Sequence, residues 1–424
     1  MLDIKFIREN LESCKQSAIN KNREVDWEKL LTLDEKRRKL IGEVEALRGK
    51  RNQLAKSQIP NPKQIQNSKF KIQIDEGKKL KEEISRLEDE LRTVEKEFNQ
   101  LMLTVPNVPD KSVPVGKDAS GNKEVKKWGE IPKFSFKPLD HIELAKRLDL
   151  VDFERGTKIG GFRTYFLKNE AALLELAVLT YTYQKLVKKG YIPIIAPSLV
   201  KDFTLVGSGQ FPWGREEVYH LEKDRVFLAG TAEVPVTAYF SGEVLNEKDL
   251  PKKFVAFSPC FRREAGSYGK DTKGLYRLHQ FNKVEQVIIN KNDYEGSLEL
   301  HEELLANSAE VLQDLKLPYR VMLMCTGDMG EPQVKKYDIE TWMPSRAAYG
   351  ETMSNSFMGD FQTRRLNIRY KAKDGTIKFT HSLNNTAVAS PRILIAILEN
   401  YQQKDGSVVI PEVLREFVGK DVIR

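Results

Sequence analysis

The sequence predicts an α+β fold in which a sheet-and-helix domain follows an N-terminal antiparallel coiled-coil hairpin. Two heptad series lie between residues 30 and 101, whereas β-rich runs and apolar helices alternate beyond residue 135. The 424 residues also exceed what one ordinary core can bury, so at least two structural units are expected. Charged residues form 31% of the chain, above the usual quarter, which requires an unusually solvent-exposed part.

The first element is a pair of heptad helices. Seam residues recur at alternating spacings of three and four over 30–54 and again over 77–101, with Glu, Lys and Arg between them. Proline at position 60 separates the two series and places a turn there. We therefore predict a coiled-coil hairpin over about 27–104, within an N-terminal domain over 1–110.

Two arginines, Arg37 and Arg51, fall on the seam itself. Burying them would cost stability, so we expect them near its edge with their aliphatic stems packed.

The far end of this hairpin is basic. Between 48 and 74 the chain carries seven basic residues and no acidic one, whereas the base of the hairpin is acid-rich. This asymmetry favours a phosphate-contacting tip, and an ordinary solvated coiled-coil face is the alternative. The candidate contacts are Arg48, Lys50, Arg51, Lys56, Lys63, Lys69 and Lys71.

Prolines at 106, 109 and 114 end the hairpin, and a Gly/Lys-rich linker is predicted over 111–134. The remaining domain, 135–424, lacks a Walker-type phosphate loop, which argues against P-loop chemistry. No apolar run approaches the roughly 18 residues of a membrane span, and charges in the first eight residues leave no signal peptide. We expect a cytoplasmic protein with no membrane partner. The three cysteines show no CxxC spacing, so no structural zinc is expected.

Two runs in this domain predict neighbouring strands. In the run 254–264, alternation puts Arg262 and Glu264 on one face, and the run 277–287 has its own polar face. The residues on that second face are Arg277, Phe281 and Glu285. If the strands pair, one surface presents guanidinium groups, carboxylates and a ring, which suits a nucleotide. An exposed strand pair held by salt bridges is the alternative.

A possible anion site follows near the end of the chain. Pro391 and Arg392 precede an apolar run, 393–402, which indicates a helix N-terminus with a cation and free backbone N–H groups. Alone this is weak evidence, because an arginine at a helix start is often a surface residue.

Together these motifs resemble those of the seryl-tRNA synthetases, a family of class II aminoacyl-tRNA synthetases. The resemblance rests on Phe261-Arg262-Arg263-Glu264 and the loop after it, His279-Gln280-Phe281, Thr231-Ala232-Glu233, the run 360–365, and Glu399-Asn400-Tyr401-Gln402-Gln403. It covers essentially the whole chain, and it implies that the N-terminal domain over 1–110, with its hairpin, binds tRNA. It implies a class II synthetase domain with an antiparallel sheet of six to seven strands flanked by helices, and a homodimer formed partly around Pro197.

The resemblance also implies the reaction and its residues. The expected activity is that of a serine–tRNA ligase, which uses ATP and Mg²⁺ and charges tRNA(Ser), gripping its variable arm with the basic tip. The catalytic residues implied are Arg262 and Arg392. The serine-binding residues implied are Thr231, Glu233, Arg262, Glu285 and Thr386. The ATP-binding residues implied are Arg262, Arg263, Glu264, Arg277, Phe281, Glu351, Thr352, Met353, Ser354 and Arg392. Glu351 and Ser354 are also the implied metal ligands.

The sequence departs from the family pattern in the third motif. The usual Gly-Ser-Gly-Leu-Ala-Val-Gly-Arg is replaced over 385–392, where Thr386 keeps a hydroxyl but Pro391 and the lost glycines change how closely backbone can approach a ligand. Asn355 and Phe357 differ as well. Two alternatives stay open at this point: a ligase that loads an amino acid onto a carrier protein, and a non-catalytic RNA-binding relative. Charging of tRNA(Sec) also stays open.

Overall fold

The computed structural model describes residues 1–56, 68–267, 271 and 273–424. These residues form two compact units: Leu2–Ile19 with Arg23–Val105, and Met1 with Asn20–Asn22 and Pro106–Arg424. Lys63 of the predicted tip and the loop residues 268–270 and 272 lie outside the described residues. None of the helices in the described part of the chain is long and apolar enough to cross a membrane.

The smaller unit is helical. Its helices are α1 (Ile4–Glu9), α2 (Leu11–Asn20), α3 (Trp27–Lys56) and α4 (Ser68–Met102). The predicted seam forms its core, where Leu40 and Val44 of α3 meet Leu87 and Val94 of α4. Cross-helix ion pairs join early residues of α3 to late residues of α4, as in Lys29–Glu97 and Lys36–Glu90. The antiparallel coiled-coil hairpin is therefore confirmed.

One seam arginine explains how the pattern tolerates charge. The Arg37 guanidinium lies 4.7 Å from the centre of the Phe98 ring, and its Nη2 is 3.5 Å from Oδ1 of Asp34. Asp34 is buried and also pairs with Arg8 and Arg38, at 3.7 and 3.1 Å. Ring contact and ion pairing together compensate the charge at the seam. Arg51, by contrast, is exposed.

The larger unit combines helices with a wide sheet. Its helices are α5 (His141–Arg147), α6 (Phe153–Gly160), α7 (Asn169–Lys188), α8 (Asp202–Ser208), α9 (Glu233–Thr237), α10 (Tyr294–Asp314), α11 (Phe361–Leu366), α12 (Arg392–Tyr401) and α13 (Arg415–Val418). Its strands are β1 (Lys123–Trp128), β2 (Val151–Asp152), β3 (Phe166–Leu167), β4 (Ile192–Ile195), β5 (Leu199–Val200), β6 (Tyr219–Leu221), β7 (Val226–Leu228), β8 (Val244–Asn246), β9 (Lys252–Phe261), β10 (Gln280–Asn290), β11 (Tyr319–Leu323), β12 (Lys335–Met343), β13 (Ala348–Gly359), β14 (Arg369–Lys371), β15 (Ile377–Phe379), β16 (His381–Ala389), β17 (Val408–Val409) and β18 (Val422–Ile423).

The main sheet has eight strands in the order β1-β11-β12-β13-β16-β10-β9-β4. Neighbours are antiparallel except β4, which runs parallel to β9. The expected six to seven strands become eight because β1, inside the segment predicted as linker, pairs with β11. Helix α12 is buried almost all round, as its continuous apolar run requires, and it packs with α7 and the central strands into the main core.

The two strands predicted to pair do so, but their ends differ from the prediction. β9 pairs antiparallel with β10, with Phe281 opposite Cys260. β9 ends at Phe261, so the expectation that strand alternation orients Arg262 and Glu264 is wrong. Glu264 has φ of 55°, in the left-handed region that ends a strand. Arg277 likewise precedes β10 instead of lying on it.

A bulge interrupts the pairing of β10 with β16. Val284 pairs with Val388, but the next residue, Glu285, pairs with Thr386, which leaves Ala387 without a partner in that register. The bulge thereby sets Glu285 directly opposite Thr386.

Candidate active site

One pocket gathers most of the predicted site residues. Those that line it are Arg262, Glu264, Arg277, Phe281, Glu351, Thr352, Met353, Ser354, Thr386 and Arg392. Leu275, Tyr276 and Lys283, for which no role was predicted, line it too. Residues far apart in the chain converge here because β13, β16, β10 and β9 are consecutive strands of the main sheet.

Lys283 joins the predicted serine-binding residues. Its Nζ lies 2.5 Å from Oε2 of Glu285 and donates to Oγ1 of Thr231 at 2.7 Å and of Thr386 at 3.5 Å. Thr386 in turn donates to Oε2 of Glu285 at 3.2 Å. The Lys283 and Glu285 side chains are only 5% and 2% exposed. Sequence reasoning missed Lys283, although alternation along β10 places it on the face of Glu285.

Glu233 begins α9 behind this group. Its backbone N–H donates to Oγ1 of Thr231 at 3.2 Å, and its Oε1 accepts from Nε2 of Gln362 at 2.7 Å. Burial and the nearby Glu285 carboxylate raise the pKa of Glu233 to about 7, against the opposing effects of Gln362 and Lys283. The side chain can therefore change its charge near neutral pH.

Arg262 stands at the end of β9. Its Nε donates to the Gly230 carbonyl at 3.3 Å, and its guanidinium lies 5.2 Å from the centre of the Phe281 ring. The next residue, Arg263, is exposed and is not among the residues that line the pocket. Glu264 accepts a 2.6 Å hydrogen bond from Nη1 of Arg277, so these two predicted nucleotide contacts pair with each other.

Arg392 and Glu351 form a second charged group on the pocket wall. Nη1 of Arg392 lies 3.2 Å from Oε2 of Glu351, and its Nε donates to the Tyr276 carbonyl at 3.1 Å. Burial would raise the pKa of Glu351, but Arg392 and Lys336 hold it below its usual value. Glu351 is thus ionised beside a fixed cation.

Thr352 and Met353 reach the pocket from β13, but their side chains pack inward. Oγ1 of Thr352 hydrogen-bonds Oγ1 of Thr341 at 2.7 Å and donates to the Ile339 carbonyl at 3.2 Å. Met353 belongs to the main core and is 1% exposed. Both residues therefore support the pocket wall, in addition to the nucleotide contact predicted for them.

The predicted metal ligands offer oxygen atoms of the kind that Mg²⁺ prefers. The Glu351 side chain is 45% exposed, and Ser354 lines the same pocket. The described residues include no group of three or more His, Cys, Asp or Glu that could hold a metal. Mg²⁺ in nucleotide sites commonly uses one or two carboxylates plus substrate phosphates, so this donor set fits the ion.

Comparison with known proteins decides the family. Residues 1–109 match the family described as "Seryl-tRNA synthetase N-terminal domain", and residues 217–401 match "tRNA synthetase class II core domain (G, H, P, S and T)". A serine–tRNA ligase of Deinococcus radiodurans is 46% identical over 419 residues, which cover 99% of this chain and 98% of that protein. The chain belongs to the seryl-tRNA synthetase family.

Other seryl-tRNA synthetases agree with this assignment over the full length. The serine–tRNA ligase of Elusimicrobium minutum is 45% identical, with 100% of both chains covered. The crystal structure of seryl-tRNA synthetase from Pyrococcus horikoshii complexed with ATP has a TM-score of 0.89 at 37% identity and covers 100% of this chain and 99% of that one. The cytoplasmic enzyme from Naegleria fowleri in complex with AMP gives 0.87 at 32% identity, with the same coverage.

Proposed function

We propose that the chain is a serine–tRNA ligase that works in two steps. In the first, the carboxylate of L-serine attacks the α-phosphorus of ATP, and pyrophosphate leaves. In the second, a hydroxyl of the terminal ribose of tRNA(Ser) attacks the carbonyl carbon of seryl-adenylate, and AMP leaves. The observation that carries the proposal is the convergence of Arg262, Lys283, Glu351 and Arg392 on one pocket in a chain of this family. The alternatives of a carrier-protein ligase and a non-catalytic relative are not favoured.

The first step requires positioning and charge neutralisation more than proton transfer. The serine carboxylate is already ionised at neutral pH, so it needs no general base. Arg262 holds the carboxylate and the α-phosphate together, while Arg277 and Arg392 contact the outer phosphates. Phe281, whose ring lies 5.2 Å from the Arg262 guanidinium, stacks on adenine. Glu264 accepts from the adenine amino group.

Serine is selected by its hydroxyl. Thr386 and Glu285 bind it, while Glu233 and Thr231 bind its ammonium group. A buried site that loses a hydrogen-bond partner rejects the smaller analogue strongly, so alanine is disfavoured by about 10⁴-fold. Exclusion of one added methyl group is weaker, about 10- to 200-fold, which makes threonine the more frequent error.

Mg²⁺ would be held by Glu351 and Ser354. When bound with ATP, it supplies positive charge that offsets the charge developing on pyrophosphate. Arg392 keeps the Glu351 carboxylate ionised and holds it in place through its 3.2 Å ion pair.

The experiment is amino-acid-dependent ATP–pyrophosphate exchange with serine, threonine, alanine and glycine. Exchange should be fastest with serine, weaker with threonine and weakest with alanine and glycine. Absence of exchange with all four would reject the activation step. Comparing tRNA(Ser), tRNA(Sec) and a carrier protein as acceptors then tests the second step and separates the two kinds of ligase.

The hairpin supplies the contact with tRNA. Lys50 and Arg51 are exposed near the end of α3, whereas Arg48 pairs with Glu88 at 2.7 Å. Lys56, Lys69 and Lys71 lie on the two helices that flank the predicted tip. These cations bind the phosphates of the long variable arm. Trimming residues 48–74 should weaken tRNA charging and leave pyrophosphate exchange intact, whereas loss of both would mean that the segment serves folding.

The chain works as a homodimer through the face that contains α7 and β4. Leu176 and Ile195 are 62% and 79% exposed, and both line an apolar groove with Val187 and Phe257. Pro197 lies two residues after the end of β4. An exposed apolar surface of this kind is typical of a protein interface. Ile195→Asp should shift the protein to a monomer in sedimentation velocity, and Ile159→Asp, at an exposed apolar residue of α6, is the matched control.

A further inference from the structure

Glu399, in α12, is a buried carboxylate that joins two other segments. Its Oε1 accepts from the backbone N–H of His141 at 3.0 Å and from Oγ of Ser345 at 2.8 Å. Its Oε2 accepts from the backbone N–H of Ser345 at 3.0 Å. The side chain is 0% exposed, and Nδ1 of His141 lies 3.0 Å from Oε1. Burial would raise the pKa of Glu399, but the hydrogen bonds from His141 and Ser345 hold it below its usual value.

The other nitrogen of His141 faces the loop that precedes β10. The backbone N–H of Leu275 donates to Nε2 of His141 at 3.2 Å. A backbone N–H can only donate, so Nε2 must be the acceptor and the ring proton lies on Nδ1, directed at Glu399. Gly274 permits this approach: its φ is 78°, and an added Cβ would lie 2.3 Å from Nε2 of His141.

The residues after Leu275 belong to the pocket. The Tyr276 ring lies between two guanidinium groups, 4.0 Å from that of Arg346 and 4.5 Å from that of Arg392. The Tyr276 carbonyl accepts from Nε of Arg392, and the next residue is Arg277. The position of the Leu275 backbone, which leads directly into Tyr276 and Arg277, therefore sets the position of both arginines proposed to contact the outer phosphates.

We propose that His141 and Glu399 are positioning residues for the nucleotide site: the carboxylate fixes the imidazole, and the imidazole fixes the Leu275 backbone. Nδ1 of His141 faces the buried Glu399 carboxylate, whereas Nε2 holds the backbone of Leu275, a residue that lines the pocket. The identity of the ligand as ATP rests on the proposed function, but the contact with Leu275 does not.

Two variants at position 141 separate the contact between His141 and Glu399 from the contact between His141 and Leu275. His141→Asn keeps an N–H donor near the position of Nδ1 for Glu399 and loses the acceptor for Leu275. His141→Gln offers an oxygen near the position of Nε2 and so can restore that acceptor in part. The matched control is Gln402→Leu. Gln402 is also buried, and its amide hydrogen-bonds backbone groups, namely the N–H and carbonyl of Leu139 and the carbonyl of Glu399.

Three quantities are measured for each variant. They are hydrogen–deuterium exchange at the Leu275 amide, the KM values for ATP and serine in pyrophosphate exchange, and the affinity for ATP by calorimetry. In His141→Asn we expect hydrogen–deuterium exchange of the Leu275 amide to become about 5- to 10-fold faster. The KM and Kd for ATP should rise by the same factor of about 5 to 10, which is the scale of one lost hydrogen bond. The KM for serine should change less than about 2-fold by the same scale. The KM and Kd of His141→Gln for ATP should lie between those of His141→Asn and those of the wild type. Gln402→Leu should leave both values unchanged.

Equal KM and Kd values for ATP in His141→Asn and Gln402→Leu would overturn the proposal. Faster hydrogen–deuterium exchange of the Leu275 amide without any change in ATP affinity would overturn it as well. If the wild-type chain shows no serine-dependent exchange, the proposed function fails. The Leu275 amide and the calorimetric ATP affinity then still decide the positioning role.

Discussion

Lys36–Glu90 in the hairpin and Lys283–Glu285 in the pocket are both lysine–glutamate ion pairs, with Nζ–O distances of 2.8 and 2.5 Å. Their surroundings differ. The hairpin side chains are 50% and 45% exposed, whereas those of the pocket are 5% and 2% exposed. Solvent and salt screen the first pair, so it contributes little. Removal of one partner from the second leaves an uncompensated buried charge. Distance alone therefore does not rank the two pairs, and burial does.

The contrast extends to what each region can do. Exposed cations on the hairpin can meet a flexible polyanion with no fixed partner, and their effects add up. Buried charges that share partners hold one small ligand in one geometry, and their effects do not add. Changes in the pocket should therefore cost orders of magnitude, and changes in the hairpin should cost small factors that depend on salt.

The largest expected effect is at Arg262. Arg262→Ala removes the cation proposed to join the serine carboxylate and the α-phosphate, so serine-dependent pyrophosphate exchange should fall by about 10³-fold. Because the Arg262 side chain is exposed, circular dichroism and the melting temperature should change little. Arg155→Ala, at an exposed arginine paired with Asp152, is the control and should keep full exchange. Unchanged exchange in a folded Arg262→Ala protein would contradict the role.

Lys283→Met tests the buried pair directly. It should lower the free energy of unfolding by about 3–5 kcal/mol, because Glu285 loses its counter-charge, and raise the KM for serine by about 10²-fold. Lys283→Met/Glu285→Gln should recover most of the unfolding free energy in urea without recovering serine binding. If the double variant binds serine normally, the pair serves the fold alone. The hairpin counterpart, Lys36→Met, should change neither quantity measurably.

Glu233 makes the pocket sensitive to pH. Its pKa of about 7 lies above the unfolded value of 4.5, so between these values the folded state holds a proton that the unfolded state has lost. Stability therefore falls as pH rises from about 4.5 to 7, by up to about 1.4 kcal/mol per pH unit, and levels off above. Glu233→Gln should flatten this dependence in urea unfolding. In the wild type, the KM for serine should fall as pH rises through 7, because the ionised carboxylate binds the ammonium group.

The smallest effect is expected in the hairpin. Lys50→Gln/Arg51→Gln should weaken tRNA binding by a few-fold at low salt and reduce the salt slope, because about two phosphate contacts are lost. Arg48→Gln should matter less, since Glu88 already pairs with Arg48. Filter binding over a salt series measures both. An effect of either change on pyrophosphate exchange would erase the contrast between the two regions.

Much of the fold could be predicted from the sequence, since heptad spacing and strand alternation are local patterns. The seam formed as expected, and Arg37 fits there because Phe98 and Asp34 receive it. The end of β9 could not be predicted, because the left-handed conformation of Glu264 leaves no mark in residue type. Most site residues came from the family resemblance. Lys283 was missed because a lysine on a strand is usually a surface residue, and only the sheet pairing shows it to be buried.

The unpaired Ala387 makes the pocket depend on a count of residues. With regular pairing Glu285 would face Ala387, which carries no hydroxyl, and Thr386 would move along the strand. Deletion or insertion of one residue in this stretch would thus separate Glu285 from Thr386 even if both residues were kept. During evolution, a single substitution here can be compensated by another substitution. An insertion or deletion shifts the register of the strand and requires a second change in length to restore it.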